Sequence, residues 1–168
     1  MASRRRARGF ALQALYHADL TESSVQRALA DLWAGLLDGE GFDDERPHES
    51  EEVEFAQYLA LGTESSREEV DAIIEEASTN WRLSRMPVVD RNILRLAAYE
   101  LKQCTDIPAT VSINEAIELA KRFGTKDSRA FVNGIVDRMA RKLGRIEAEP
   151  RPAGASKGRG RGKGRGKR

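Results

Sequence analysis

Apolar residues return every three or four positions along almost the whole of this chain of 168 residues. That spacing marks one face of a 3.6-residue helix. Strand-like alternation bounded by hairpin turns is absent, so the sequence predicts an all-α fold of about seven helices. The first runs through Ala7, Ala11, Ala14, Leu15 and Ala18, which share one face. Arg5, Gly9, Leu12, Gln13 and Tyr16 fall on roughly the opposite face. A second helix, about 24–37, carries the stripe Val25, Ala28, Leu29, Leu32, Trp33 and Leu36. A third, about 52–61, places Phe55 and Leu59 at i,i+4. Ser66 with Glu69, and Ser112 with Glu115, have the spacing of capping boxes that would open the fourth and sixth helices. Pro87 suits the first turn of the fifth, and Gly124 and Gly144 are placed to end the sixth and seventh. The seventh starts at Asp127 or Ser128 and runs to about Leu143. Gly134, inside it, costs about 1 kcal/mol relative to alanine, and close helix approach is the expected reason for it.

Charge is strongly segregated behind a formal net charge of +1. Arg4, Arg5, Arg6 and Arg8 precede any acidic residue. The stretch 150–168 carries eight more cations and no acid, in Gly-Arg and Gly-Lys repeats. What remains holds 16 cations against 27 acids. An acidic body repels phosphate broadly, so nucleic acid is expected only at defined basic places. The stretch 147–168 has too little apolar surface to offset its chain entropy and is read as a disordered tail. Its Arg159, Arg161, Lys163 and Arg165 suit a non-specific nucleic-acid arm, against the alternative of a solubilising tail without a partner. The acidic segment 38–52, with Gly39, Gly41 and Pro47, reads as an exposed loop.

The first sixteen residues, MASRRRARGFALQALY, are the best candidate site. Arginine keeps its charge and offers a planar fork of donors that matches phosphate oxygens. Tyr16 lies on the same helix face as Arg5 and Gln13, an arrangement suited to holding unstacked bases of single-stranded RNA. The plainer alternative is a solvated helix start with Tyr16 packed between helices.

Signatures of catalysis are missing: no phosphate-binding glycine loop, dinucleotide motif or nucleophile elbow is present. The single cysteine, Cys104, excludes an internal disulfide and reads as a small apolar filler at a helix end. His17 and His48 lack ligand-spaced partners, so neither metal nor cofactor is expected. No apolar run approaches a membrane span and no secretory signal is visible, which reads as a soluble cytoplasmic protein. Asp90 falls in the first turn of the fifth helix, where a carboxylate suits the dipole; the alternative is a contact to a basic partner. Asp127 is placed to cap the seventh helix, and Phe131 lies roughly 90° off its apolar stripe, which predicts partial exposure.

The segments RRRARGFALQALY, ILRLAAYEL and VSINEAIELAKRFGTKDSRAFVNGIVD resemble the NusB family of bacterial transcription antitermination factors. The resemblance spans about residues 3–146 and weakens through 21–69. It implies a helical RNA-binding domain over 1–146, built from two perpendicular three-helix-bundle subdomains of about 1–80 and 81–146, with the tail at 147–168. It also implies a non-catalytic adaptor that binds single-stranded boxA RNA of ribosomal RNA operons. Its partner there is NusE, a small-subunit ribosomal protein, with other Nus factors and RNA polymerase engaged indirectly.

By that resemblance Arg4, Arg5, Arg6 and Arg8 are expected at the RNA, with Gln13, Tyr16, Asp127 and Phe131 beside it. Tyr16 and Asp90 are expected at the partner protein, and the free protein as monomer or homodimer. Neither the tail nor the acidic 38–52 segment belongs to the family's usual pattern. Two other readings stay open: a NusB-like module serving a ribosomal-RNA methyltransferase in trans, and a protein-only scaffold whose acidic body recruits a basic ribosomal protein.

Overall fold

The computed structural model describes residues 2–37 and 50–147. Among these residues there are seven α-helices and no strand. They are α1 (Ala2–Thr21), α2 (Val25–Leu37), α3 (Ser50–Ser65), α4 (Arg67–Ala77), α5 (Val88–Gln103), α6 (Ala109–Phe123) and α7 (Ser128–Lys142). A 3-10 turn at Leu83–Arg85 precedes α5. The tail after Glu147 and most of the acidic segment, 38–49, lie outside the described residues. Residues 50–52 do not belong to a loop; they form the first turn of α3.

α1 is the centre of the molecule and packs against α2, α3, α5 and α6. Enclosed in this way, the middle of α1 has no solvent face: Gly9 and Leu12, expected opposite the packing face, are buried, whereas Arg5 and Tyr16 on that side are exposed. Leu12, expected on the outer face, is 2 % exposed and joins the main core. That core draws apolar residues from all seven helices. α4 packs on α5 and α7, and α5, α6 and α7 pack on one another, while α1, α2 and α3 form a second group. α1 and α3 join the groups by lying on α5. At the second crossing the Tyr99 ring sits where a Cβ on Gly62 would be, 2.2 Å away.

A polar clamp holds the far end of α1. Asp19 Oδ2 accepts hydrogen bonds from Arg91 at 2.8 Å, Asn92 at 3.0 Å and Arg95 at 3.2 Å, and Arg95 also donates to Asp71 at 2.8 Å. Burial pushes the Asp19 carboxyl up, but the hydrogen bonds and the two arginine charges outweigh it, so the net shift is downward. Cys104 closes α5 from inside the core, and burial pushes its thiol up.

Three local expectations are overturned. Neither capping box forms. Ser66 follows α3 without an extended residue, and its hydroxyl makes no cap bond. α6 already opens at Ala109, behind Pro108, so Ser112 lies inside the helix at 2 % exposure. Third, no atom lies within 4 Å of a Cβ built on Gly134, so helix approach does not explain that glycine. Gly144, by contrast, ends its helix at φ +69°, a conformation that favours glycine.

Candidate nucleic-acid interface

The four N-terminal arginines share two turns of helix but leave it in different directions. Arg4 places its guanidinium 4.7 Å from the Phe55 ring centre, a cation–π contact at the protein surface. The Arg5 side chain is 60 % exposed and donates from Nε and Nη2 to the Glu115 carboxylate at 3.0–3.3 Å. This bond to Glu115 raises the Arg5 pKa further above its ordinary value. Arg6 is half-buried and donates to Glu52 at 2.7 Å.

Arg8 departs from the expected RNA contact. It is 4 % exposed and grips Glu100 through Nε at 3.0 Å and Nη2 at 2.5 Å. Glu100 accepts a further bond from Ser112 Oγ at 3.0 Å. An arginine fork whose two donors are spent on a buried carboxylate holds α1 to α5 instead of reaching for phosphate. The serine that sequence spacing assigns to a helix cap completes this network.

Above that pair lies a groove of ≈ 800 Å³. Arg4, Arg5, Arg6 and Arg8 form one wall, and Asp106, Ile107 and Pro108 of the α5–α6 connection face them together with Val111 and Glu115 of α6. The groove combines exposed guanidinium groups with an apolar side, since Val111 is 39 % exposed. Farther along α1, Gly9 faces α6, where a Cβ would lie 3.5 Å from Arg122 and 3.8 Å from Phe123. Arg122 in turn stacks 4.8 Å above the Phe123 ring. Half-buried Gln13 donates to the Gly9 carbonyl, and Tyr16 is 37 % exposed. Leu20, one turn beyond, is 55 % exposed.

Asp127 is exposed at the start of α7 and makes no capping bond through its side chain. Ser128, the first residue of α7, reaches back instead, its Oγ accepting from the amide of Thr125 ahead of the helix at 2.9 Å. Phe131 is half-buried, as its offset from the stripe predicts, and meets Trp81 edge-on with centroids 6.0 Å apart. Asp90 is 4 % exposed, and its Oδ1 has no hydrogen-bond partner. Its place in the first turn of α5 fits the dipole reading; burial removes it from any surface offered to a partner.

The arginine wall, the Arg122–Phe123 pair and the Asp127–Phe131 turn therefore follow one another across α1, α6 and α7. Sequence reasoning missed Glu115, Arg122 and Val111 as parts of this surface. All three lie on α6, and their meeting α1 is a tertiary fact that no local spacing signals.

The sequence profile of the NusB family matches residues 5–141. The chain is 44 % identical over 145 residues to the transcription antitermination protein NusB of Myxococcus xanthus, covering 86 % of this chain and 99 % of that one. It is similar in structure to T. maritima NusB, with a TM-score of 0.70 at 36 % identity over 83 % of this chain and 91 % of the other. The NusB chain of a complex of the antitermination factors NusB and NusE with double-stranded RNA superimposes with a TM-score of 0.69. That match covers 84 % of this chain and 98 % of the other, and at 24 % identity it speaks for the fold alone.

Proposed function

This chain belongs to the NusB family, and from that premise we propose that it is a non-catalytic cytoplasmic adaptor in transcription antitermination. It binds boxA-type single-stranded leader RNA of ribosomal RNA operons together with NusE. The observation that carries the reading is the groove walled by Arg4, Arg5 and Arg6, in a chain whose body is otherwise acidic. Arg4 and Arg5 are the exposed members and take phosphates, with Glu115 giving up Arg5 as the strand enters. Gln13, Asp127 and Phe131 line the path beyond, and Tyr16 with Leu20 offers an apolar pair to NusE. Asp90 and Arg8 serve the fold.

The tail adds generic affinity through Arg159, Arg161, Lys163 and Arg165. Before the tail, the Arg145 side chain donates to the Leu101 carbonyl and, at 2.7 Å, to the Ile107 carbonyl, and the Glu147 carbonyl accepts from Arg141.

The test is binding of boxA-like single-stranded RNA and a scrambled control, with and without NusE. Full-length protein is compared with a chain ending at Glu147, which keeps the Arg145 anchor. Preference for boxA that survives removal of the tail and strengthens with NusE is the expected result. The slope of log K on log salt should shrink by about 0.7 for each tail–phosphate contact removed. Equal binding of both RNAs, abolished with the tail, would reduce the RNA affinity to unspecific charge and overturn the reading.

A further inference from the structure

The connection between α4 and α5 holds the most exposed aromatic ring near the candidate RNA path. Trp81 is 54 % exposed, although it lies between two buried anchors, Ser78 and Leu83. Its backbone is braced, since Ser78 Oγ donates to the Trp81 carbonyl at 3.0 Å. The 3-10 turn that follows seats Leu83 in the core and turns Arg82 and Arg85 outward. These two arginines, with Asn80 and Trp81, line a cleft of ≈ 320 Å³. Neither pairs with a carboxylate among the described residues. A wider hollow of ≈ 790 Å³ shares Asn80, Trp81 and Arg82 with that cleft and includes Glu75, Arg91 and Arg95, the last two already tied to Asp19 and Asp71.

Covering the exposed indole in use removes apolar surface from water, which favours binding. Here one edge of the pair is supported by Phe131, at 83° between the ring planes, while much of the indole stays open. A firmly placed ring flanked by two unpaired guanidinium groups suits a nucleobase with its phosphates. Continuity adds a second argument. Phe131 stands one turn beyond Asp127, so the path over α1, α6 and α7 leads directly to Trp81.

We propose that Trp81 is a base-stacking residue for single-stranded RNA, carrying the strand past Phe131 onto the α4–α5 connection, with Arg82 and Arg85 holding the adjoining phosphates. This rests on the RNA-binding reading above and lengthens its site. RNA is favoured over an acidic protein partner because the ring's supporting contact, Phe131, already belongs to the RNA path.

The chain has two tryptophans, so Trp33→Phe in the full-length protein leaves Trp81 as the sole indole reporter. Titration with a short single-stranded boxA-like RNA should quench its emission in step with binding. Trp81→Ala should weaken that RNA by about 5- to 150-fold, the range for loss of one stacked base, while Trp81→Phe keeps most of the affinity. Arg82→Ala with Arg85→Ala should reduce the salt slope by about 1.4. If the RNA binds, Arg4→Ala and Arg5→Ala weaken it, and Trp81 stays silent and replaceable, this inference falls and the arginine groove stands. If the wild-type chain binds no single-stranded RNA, both readings fall. Quenching by NusE alone, with no response to RNA, makes the face a protein surface and also overturns the inference.

Discussion

Replacing Arg8 with alanine should unfold the protein more readily and should not act as the loss of an RNA contact. The guanidinium is buried, and two of its nitrogens engage both oxygens of Glu100, itself 2 % exposed. Without Arg8 the Glu100 charge keeps only the Ser112 hydroxyl. Removing one member of a buried ion pair costs about 3–5 kcal/mol, chiefly because the other charge is left uncompensated. For a chain of this size that corresponds to a fall of roughly 6–20 °C in Tm. The double variant Arg8→Met, Glu100→Leu leaves neither charge of this pair behind and should recover most of the loss. Thermal melts of the three proteins, with boxA-like RNA binding measured well below each Tm, give the answer. The folded double variant should bind RNA as the wild type does. An Arg8→Ala protein that melts with the wild type but loses RNA would refute the structural assignment and return Arg8 to the interface.

Other expectations concern the clamp and two glycines. The Asp19 carboxyl is lowered in the folded state, so its contribution to stability is present above the ordinary carboxylate pKa. That contribution is lost as pH falls through the lowered folded value; urea melts should show a gap between wild type and Asp19→Asn at neutral pH that narrows in acid. Gly62→Ala would drive a methyl into the Tyr99 ring and should destabilise by about 1–3 kcal/mol, read from the urea midpoint. Gly134→Ala meets open space and should stabilise by about 0.5–1 kcal/mol in the same assay. A loss of stability there would mean that the helix backbone is not what limits this position.

Helix number and type follow from the sequence alone, because an amphipathic stripe records which side of each helix must leave water. The stripe of α7, Val132, Ile135, Val136 and Met139, is buried as its spacing predicts, and Gly144 ends the helix by a local backbone requirement. The division of charge is equally legible: arginines at the start, a cationic tail and an acidic body. So were the family motifs, since their order and spacing are properties of the chain. What each charged residue does was decided by packing. Arg4 and Arg8 sit one turn apart with the same chemistry, yet one lies at the surface and the other is buried. The difference is the position of Glu100, 92 residues away from Arg8 in sequence. In the same way Ser112 has capping spacing but serves a buried carboxylate, and Asp90 has interface chemistry but no exposure. Local spacing reports the neighbours that a helix brings together, whereas burial and pairing of charge depend on which helices meet. Only the tertiary structure supplies that.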